Sequence, residues 1–424
     1  MKKIKVILIG AGGRGDCYTS YMAKMPEMFE VIAVAEPIDS RRENVKKRHN
    51  IPDNMCFTDY KPLLALGKIA DLCIVATMDR DHFEPAMMAI DLKYDLLLEK
   101  PITPTPEECV KLTENAKKND VRVVICTVLR YTQVFNHLKS IIDSGRLGDV
   151  MAINHEECVG NVHQSHSFVR GNWGNSERSS VMLLQKSCHD IDILQWLLGK
   201  KCKKVQSFGT LSYFTEKNAP AGAPERCIDG CPAAETCPYN AVKLYLDDKG
   251  NDWFRGAATR EMNATDEQVE KALRETLYGK CVYKCDNDVV DHQVVNMLFE
   301  DDITVTFTMN AFNKGGRFIH IMGTKGEVRA AISGDEPIRV YDFESKSEIE
   351  IPYSGVDGVV GGHGGGDEGI VRTLYSYIIG EYNGNAVPTI DESCYNHLVV
   401  FAAEESRATN TVVDVEEYIN SFKN

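Results

Sequence analysis

The sequence predicts an α/β protein that opens with a doubly wound parallel sheet. Three observations carry this. A short β-branched run, Lys5–Ile9, leads straight into the glycine loop Gly10-Ala11-Gly12-Gly13-Arg14-Gly15. Leu72–Ala76 is an unbroken apolar run between Asp71 and Thr77, as expected of a strand buried on both faces. Strand-like and helix-like segments then alternate up to residue 128, the pattern of successive βαβ units.

Taken in order, Gly10, Gly12 and Gly15 fit G-x-G-x-x-G, with a strand before them and a helix, Tyr18–Met25, after. In that setting Gly10 permits the tight turn, Gly12 lets the backbone approach a pyrophosphate, and Gly15 lets helix and strand pack closely. Gly13 and Arg14 complete the loop, whose free N–H groups face the phosphates. The second strand, Val31–Ala35, ends in Glu36, an acceptor placed for the ribose hydroxyls of an adenosine half. Its charge repels a 2′-phosphate, so NAD is expected over NADP. Arg41 and Arg42, just beyond, keep NADP as the second choice.

Leu72–Ala76, the helix Phe83–Leu92 and the strand Tyr94–Leu98 form one βαβ unit. Pro85 falls in the first helical turn, where a missing N–H costs nothing. The unit delivers Glu99-Lys100-Pro101 at the carboxyl end of its second strand. Ligands of open α/β sheets bind outside those ends, so Lys100 is poised over whatever the fold holds, with Glu99 beside it. Thr77, Asp79 and His82 follow the carboxyl end of the first strand, where a nicotinamide ribose would pass. A helix, Glu107–Asn119, and a strand, Val121–Thr127, finish this part.

The second part begins at residue 129. Phe135–Ser144 reads as a helix and Val150–Cys158 alternates as a strand. The polar-aromatic loop Val162–Trp173 holds His163, His166, Arg170 and Trp173, residue types suited to a sugar: an indole stacks on a ring face and Arg donates to hydroxyls. Leu183–Gly199 contains Lys186, His189 and Asp192, the last two on neighbouring turns of one helix side. Residues 218–285 form a cysteine-rich insertion with Cys227-x3-Cys231-x5-Cys237 and Cys281-x3-Cys285. Cys227, Cys231 and Cys237, with Cys281 or Cys285 as the fourth, are expected to bind structural zinc or an iron–sulfur cluster. Asp286–Glu300 pairs with Ile303–Met309, and Arg317–Gly323 with Glu327–Ala331; Asp291 and His292 sit at a strand start. His363 lies among five glycines within 361–366, held by the following helix Ile370–Ile379, and is expected near the substrate. Cys394–Thr409 is a closing helix.

The glycine loop, the stretch from Ala76 to His82 and Glu99-Lys100-Pro101 together resemble the Gfo/Idh/MocA oxidoreductase family, over nearly the whole chain. The resemblance implies a Rossmann domain (1–128) and a C-terminal α/β domain (129–424) on an open, mostly antiparallel sheet. Such sheets pair, so a homodimer or homotetramer is implied. It gives Lys100 the place between substrate hydroxyl and nicotinamide. The run from Gln185 to Asp192 matches the family's D-x-G-x-H-x-x-D, which makes His189 the active-site histidine and Asp192 the helix acid. The chain departs from that pattern at Gln185, where the family has an Asp paired with the histidine, and at Ser187, where Gly is common; Lys186 is an added charge.

Composition narrows the partners. The net charge of −14 disfavours nucleic acid and anionic membranes, and no apolar run is long enough to span a bilayer. Ile4–Ile9 is too short for a signal peptide, so a cytoplasmic location is expected, with the 14 cysteines as thiols or metal ligands. Two activities follow. One is an NAD-dependent dehydrogenase acting on a secondary hydroxyl of a sugar or cyclitol, with Lys100 and His189 as acid/base groups. The alternative is a redox-neutral NAD-dependent glycosidase working through a transient keto-sugar. It would recruit His163, His166, Lys186 and His363 as further acid/base groups.

Overall fold

Six strands build the first sheet: β1 (Ile4–Ile9), β2 (Phe29–Ala35), β3 (Cys56–Phe57), β4 (Leu72–Val75), β5 (Asp95–Leu98) and β6 (Val123–Ile125). The order is β3-β2-β1-β4-β5-β6 and every pairing is parallel. The strand order reverses between β1 and β4, which opens a crevice at their carboxyl ends. All four β4 residues are buried, as the unbroken apolar run predicts. The computed structural model describes residues 2–261, 263–332, 336–353 and 365–422.

Helices Gly13–Ala23, Asp39–His49, Phe83–Asp91 and Pro106–Asn119 connect these strands. The helix after the glycine loop starts at Gly13, five residues earlier than the apolar pattern indicates. Its first turn, Gly13-Arg14-Gly15-Asp16, has no apolar side chain and so leaves no hydrophobic period to read. In Pro106–Asn119, Thr105 caps the first turn and Pro106 occupies it, both favourable at a helix start.

The second sheet has nine strands: β7 (Val150–Cys158), β8 (Cys202–Thr210), β9 (His292–Phe299), β10 (Thr304–Asn310), β11 (Gly316–Gly323), β12 (Gly326–Ala331), β13 (Ile338–Asp342), β14 (Ser347–Ile351) and β15 (Val413–Asp414). Their order is β14-β13-β12-β11-β7-β10-β9-β8-β15. Among the described residues only the β7–β10 pairing of this sheet is parallel. Helices Gln133–Asp143, Cys188–Leu198 and Ile390–Thr409 share a core with one face of this sheet. Phe208 and Phe318 stay exposed on the other. No described helix is long and apolar enough to cross a membrane.

Three expectations need correction. The stretch from Val162 to Trp173 is helical rather than a loop: Asn161–Ser165 is followed by a π-turn, His166–Arg170, and a short 3-10 turn, Asn172–Gly174. The strand expected from Asp286 begins at His292, because Asp286 and Asp288 bind Arg178 and Ser176 instead of a neighbouring strand. Strands β3, β8, β13, β14 and β15 are additional, and β14 is polar and exposed, with little apolar alternation to betray it. The insertion contributes to two small cores, one in which Tyr239 and Tyr283 pack with Phe214, the other around Tyr245, Phe254 and Leu273.

Candidate active site

At the glycine loop, space decides the residue. Gly10 has φ +87°, and a Cβ there would lie 2.5 Å from the Ala76 carbonyl oxygen at the end of β4. A Cβ on Gly15 would lie 2.0 Å from the Gly10 oxygen. Gly13 would meet nothing, and Gly12 only the Arg41 guanidinium at 3.7 Å, so these two leave open space. No side chain caps the helix that starts at Gly13. Its unpaired N–H groups face that space, an arrangement that fits a pyrophosphate.

Glu36 is buried at the end of β2. Its carboxylate accepts from Ala11 N at 2.7 Å and Ile38 N at 3.0 Å, so it holds the glycine loop from the ribose side. Arg42 turns back to the Glu36 carbonyl and to Asp39, leaving Arg41 as the cation beside Gly12. Thr77 closes the turn after β4 by donating to the Asp81 carbonyl. Asp79 and His82, expected at the cofactor, are buried in structural bonds. Asp79 accepts from Ser179 and Ser180 of the second domain, and His82 bridges the Pro101 and Thr77 carbonyls.

Glu99 is buried and accepts from Arg14 Nε at 2.8 Å, from the Tyr18 hydroxyl and from Lys100 N at 2.9 Å. Burial alone would raise its carboxyl; Arg14 and Lys100 outweigh that and hold it below the usual range. Arg14 also binds Asp367 at 2.6 Å, at the start of helix Gly366–Ile378. Arg14 and Glu99 thus clamp glycine loop, β5 and C-terminal helix together. The Lys100–Pro101 peptide is cis. Lys100 reaches across the crevice and donates to the Gln185 carbonyl at 2.5 Å, four residues before His189.

His189 is buried in the first turn of helix Cys188–Leu198. The adjacent Cys188 is inert, because burial pushes its thiol up to about 12. Around His189 the structure adds a network that motif reading missed. Asp190 accepts from His155 Nε2 at 2.8 Å and Arg317 Nε at 2.9 Å; Arg317 also meets Glu157 at 2.5 Å, and Glu157 meets Lys186 at 3.2 Å. Burial would raise the Asp190 carboxyl, yet Arg317 and His155 bring it down to about 2. Burial lowers the Lys186 ammonium, with Glu157 opposing. His163 lies near Lys186 and Arg317, and burial followed by those cations keeps it neutral. Inward positions His155 and Glu157 on β7 carried a signal, polar residues on the buried parity of a strand.

Other expected contacts lie elsewhere. Asp192 is not open to substrate: it is buried against Arg130 and Asn396. His166 stacks on Phe254 at 4.0 Å between ring centres and bonds the Tyr245 hydroxyl, inside a core of the insertion. Arg170 points into the insertion, donating to the carbonyls of Lys280 and Tyr239. Trp173 is half-buried beside Phe168, its ring centre 6.0 Å away. Asp291 fastens the Ser212 and Tyr213 amides and His292 rather than facing the crevice. His363 falls outside the described residues. Among the described residues no three His, Cys, Asp or Glu side chains are arranged to hold a single metal ion.

Comparison with known proteins agrees with this geometry. Residues 4–127 match the family model described as "Oxidoreductase family, NAD-binding Rossmann fold", and residues 139–415 match its "C-terminal alpha/beta domain". The chain is 24% identical over 328 residues to the "Putative oxidoreductase YteT" of Bacillus subtilis, covering 72% of each. It is 25% identical over 206 residues to the inositol 2-dehydrogenase of Salmonella typhimurium, 48% of this chain and 57% of that one. Among solved structures, levoglucosan dehydrogenase in complex with NADH and L-sorbose superposes with a TM-score of 0.71 at 16% identity, over 98% of this chain and 99% of the other. Scyllo-inositol dehydrogenase from Lactobacillus casei gives 0.67 at 17% identity, over 98% and 100%. A glycine cradle with Glu36 at its rim, Lys100 at the carboxyl edge of β5 and two matching domain models lead to one assignment: the chain belongs to the Gfo/Idh/MocA oxidoreductases and has their NAD-binding Rossmann domain.

Proposed function

We propose that this protein is an NAD-dependent dehydrogenase acting on a secondary hydroxyl, or the matching ketone, of a sugar or cyclitol, with Lys100 and His189 handling the hydroxyl proton. The observation that carries the reading is the reach of Lys100 Nζ from the Rossmann edge to the Gln185 carbonyl beside the His189 helix. A lysine from one domain and a histidine from the other then flank the crevice. The chain's similarity to inositol 2-dehydrogenases and to levoglucosan and scyllo-inositol dehydrogenases supports a polyol substrate.

In this reading Gly12, Gly13 and the first turn of helix Gly13–Ala23 hold the pyrophosphate, and Glu36 holds the adenosine ribose. NAD, when bound, supplies the hydride acceptor. Lys100 takes the hydroxyl proton as the C–H bond breaks. His189 shares that proton. Neutral His163 and the cations Lys186 and Arg317 supply hydroxyl-binding donors and acceptors. NAD is preferred over NADP because Glu36 already occupies the ribose side with a negative charge. The glycosidase reading has lost support, since His166 is locked against Phe254 and Tyr245, and Lys186 is paired with Glu157.

The domain division at 128/129 and the insertion 218–285 belong to this proposal, as does a cytoplasmic location. Exposed Phe208 and Phe318 on the open sheet face support pairing of copies into a dimer or tetramer. We also take the cysteines of the insertion to hold an inorganic centre with a structural role. A panel of cyclitols, aldoses and aryl glycosides tests the activity. NADH formed in step with ketone from a cyclitol or sugar is expected; aglycone release with no net NADH would overturn it.

A further inference from the structure

Four thiols separated in sequence by up to fifty-four residues, Cys227 to Cys281, line one small space in the insertion. Arg170, Tyr239, Val282 and Tyr283 complete its wall. A mononuclear zinc site needs sulfurs about 3.8 Å apart, at Zn–S distances of about 2.3 Å. Among the described residues no three ligand-type side chains are arranged to hold such an ion. The four thiols instead face one shared space without closing on a single point, as the ligands of a multinuclear centre do.

Arg170 is the second observation. It is 1% exposed, and none of the described carboxylates pairs with it. Its Nε and Nη2 are satisfied by the Lys280 and Tyr239 carbonyls, and Nη2 also lies 3.6 Å from Cys227 Sγ. Its Nη1 is buried with no partner. A buried guanidinium with one unused donor, on the wall of a thiol-lined space, calls for negative charge in that space. Neutral thiols do not supply it.

We propose that Cys227, Cys231, Cys237 and Cys281 ligate a [4Fe–4S] cluster, with Arg170 as its buried counter-cation and Nη1–H donor. This rests on reading the cysteines as an inorganic-cofactor site and is independent of the dehydrogenase assignment. On assembly four thiols release four protons and bind a [4Fe–4S]2+ core. No electron is transferred, and the finished unit carries a charge of about −2, which Arg170 offsets. Pro232 and Pro238 follow two of the ligands, as a proline follows a ligand cysteine in bacterial ferredoxin runs. Phe214, Tyr239 and Tyr283 form an apolar shell that shields the site from water. Cys285 is not a ligand: it stays off the cavity wall and its thiol bonds the Cys281 carbonyl. The cluster would pin the turn Asn161–Arg170, and with it His163, beside the substrate crevice.

The test is metal and sulfide analysis of the full chain, produced with ample iron and purified anaerobically without chelator. About four iron and about four acid-labile sulfide per chain are expected, with a brown visible absorption that bleaches on reduction by dithionite. Cys231→Ser and Cys281→Ser should each lose most of the iron, while Cys285→Ser keeps it. Arg170→Gln should shift the reduction potential of the cluster to a more negative value. About one zinc per chain without sulfide would replace the cluster by a mononuclear site. Metal-free protein with all of these thiols titratable would end the inorganic-cofactor reading. Iron lost in Cys285→Ser but kept in Cys281→Ser would overturn the ligand set. NAD turnover, assayed in parallel, reports separately on the dehydrogenase reading.

Discussion

Arg130, just past the end of the Rossmann domain, and Asp192 form a two-point ion pair, Nε to Oδ2 at 2.7 Å and Nη2 to Oδ1 at 2.8 Å. Both side chains are almost fully buried, and Asn396 adds a bond to Asp192 Oδ1 at 2.6 Å. Burial would lower the Arg130 guanidinium; Asp192 outweighs it and raises it further. The family motif puts an acid at 192, but here it holds the segment that follows the Rossmann domain against helices Cys188–Leu198 and Ile390–Thr409. Asp192→Ala leaves Arg130 buried and unpaired, and should cost about 3–5 kcal/mol in denaturant unfolding. If stability is unchanged and only KM rises, Asp192 is a substrate contact after all.

Glu36 binds two backbone amides at the rim of the glycine loop. Glu36→Ala removes a ribose acceptor, a loop anchor and a charge that repels a 2′-phosphate. Loss of a charged hydrogen bond of about 1.5–3 kcal/mol predicts NADH binding weakened roughly ten- to a hundredfold. NADPH should lose much less, because Arg41 remains beside Gly12. Fluorescence titration with both cofactors decides this; tighter NADPH than NADH binding by the unmodified protein refutes the preference.

The Rossmann part was legible because its strands are buried on both faces and its glycines are demanded by backbone contacts. Leu72–Val75 and Gly10 are examples in which one local pattern has one structural solution. The second domain was less so. His166 and Arg170 read as sugar contacts from their chemistry, yet the π-turn at 166–170 directs both into the insertion. That direction depends on Tyr245 and Lys280, residues 79 and 110 positions away. The Asp190 network was hidden for the same reason, since Arg317 on β11 meets Asp190 only once the sheet has formed. Local periodicity carries no information about such partners.

His397 gives a pH prediction. Its Nε2 takes the Ile102 N–H at 3.1 Å and its Nδ1 faces the Ser393 carbonyl at 2.8 Å. The ring is therefore neutral with the proton on Nδ1; a second proton would oppose the Ile102 amide. Burial pushes His397 down to about 4, and His166 likewise to about 3. Unfolded histidines protonate near pH 6.5, so between about 6.5 and 4 the unfolded state binds more protons. Stability should be full above about pH 6.5 and fall as the pH drops toward 4. Asp190, held near 2, contributes its loss only below that window. Urea unfolding at pH 7 and pH 5 measures the slope, and His397→Gln should flatten it while lowering stability at pH 7. An unchanged slope in that variant would remove His397 as the cause.

Lys100 separates a proton-transfer role from a merely positive one. Lys100→Ala leaves the glycine loop, Glu36 and the Arg14–Glu99 pair intact, so NADH should bind nearly as before. What disappears is the group aimed at Gln185 O beside His189. A positioned acid/base is typically worth about a hundred- to ten-thousandfold in rate, and kcat should fall by that amount. Lys100→Arg keeps the charge but cannot give up a proton near neutrality, so it should be nearly as slow as the alanine variant. A charge-only role predicts instead that arginine restores most of the rate. His189→Ala should also lower kcat. If the two act on one proton, the double variant should be little slower than Lys100→Ala alone, since groups that work as a unit are not additive. A primary isotope effect on hydride transfer, measured with substrate deuterated at the reacting carbon, keeps the chemical step in view throughout. Unchanged turnover in Lys100→Ala would return Lys100 to the status of a crevice lysine with no part in the reaction.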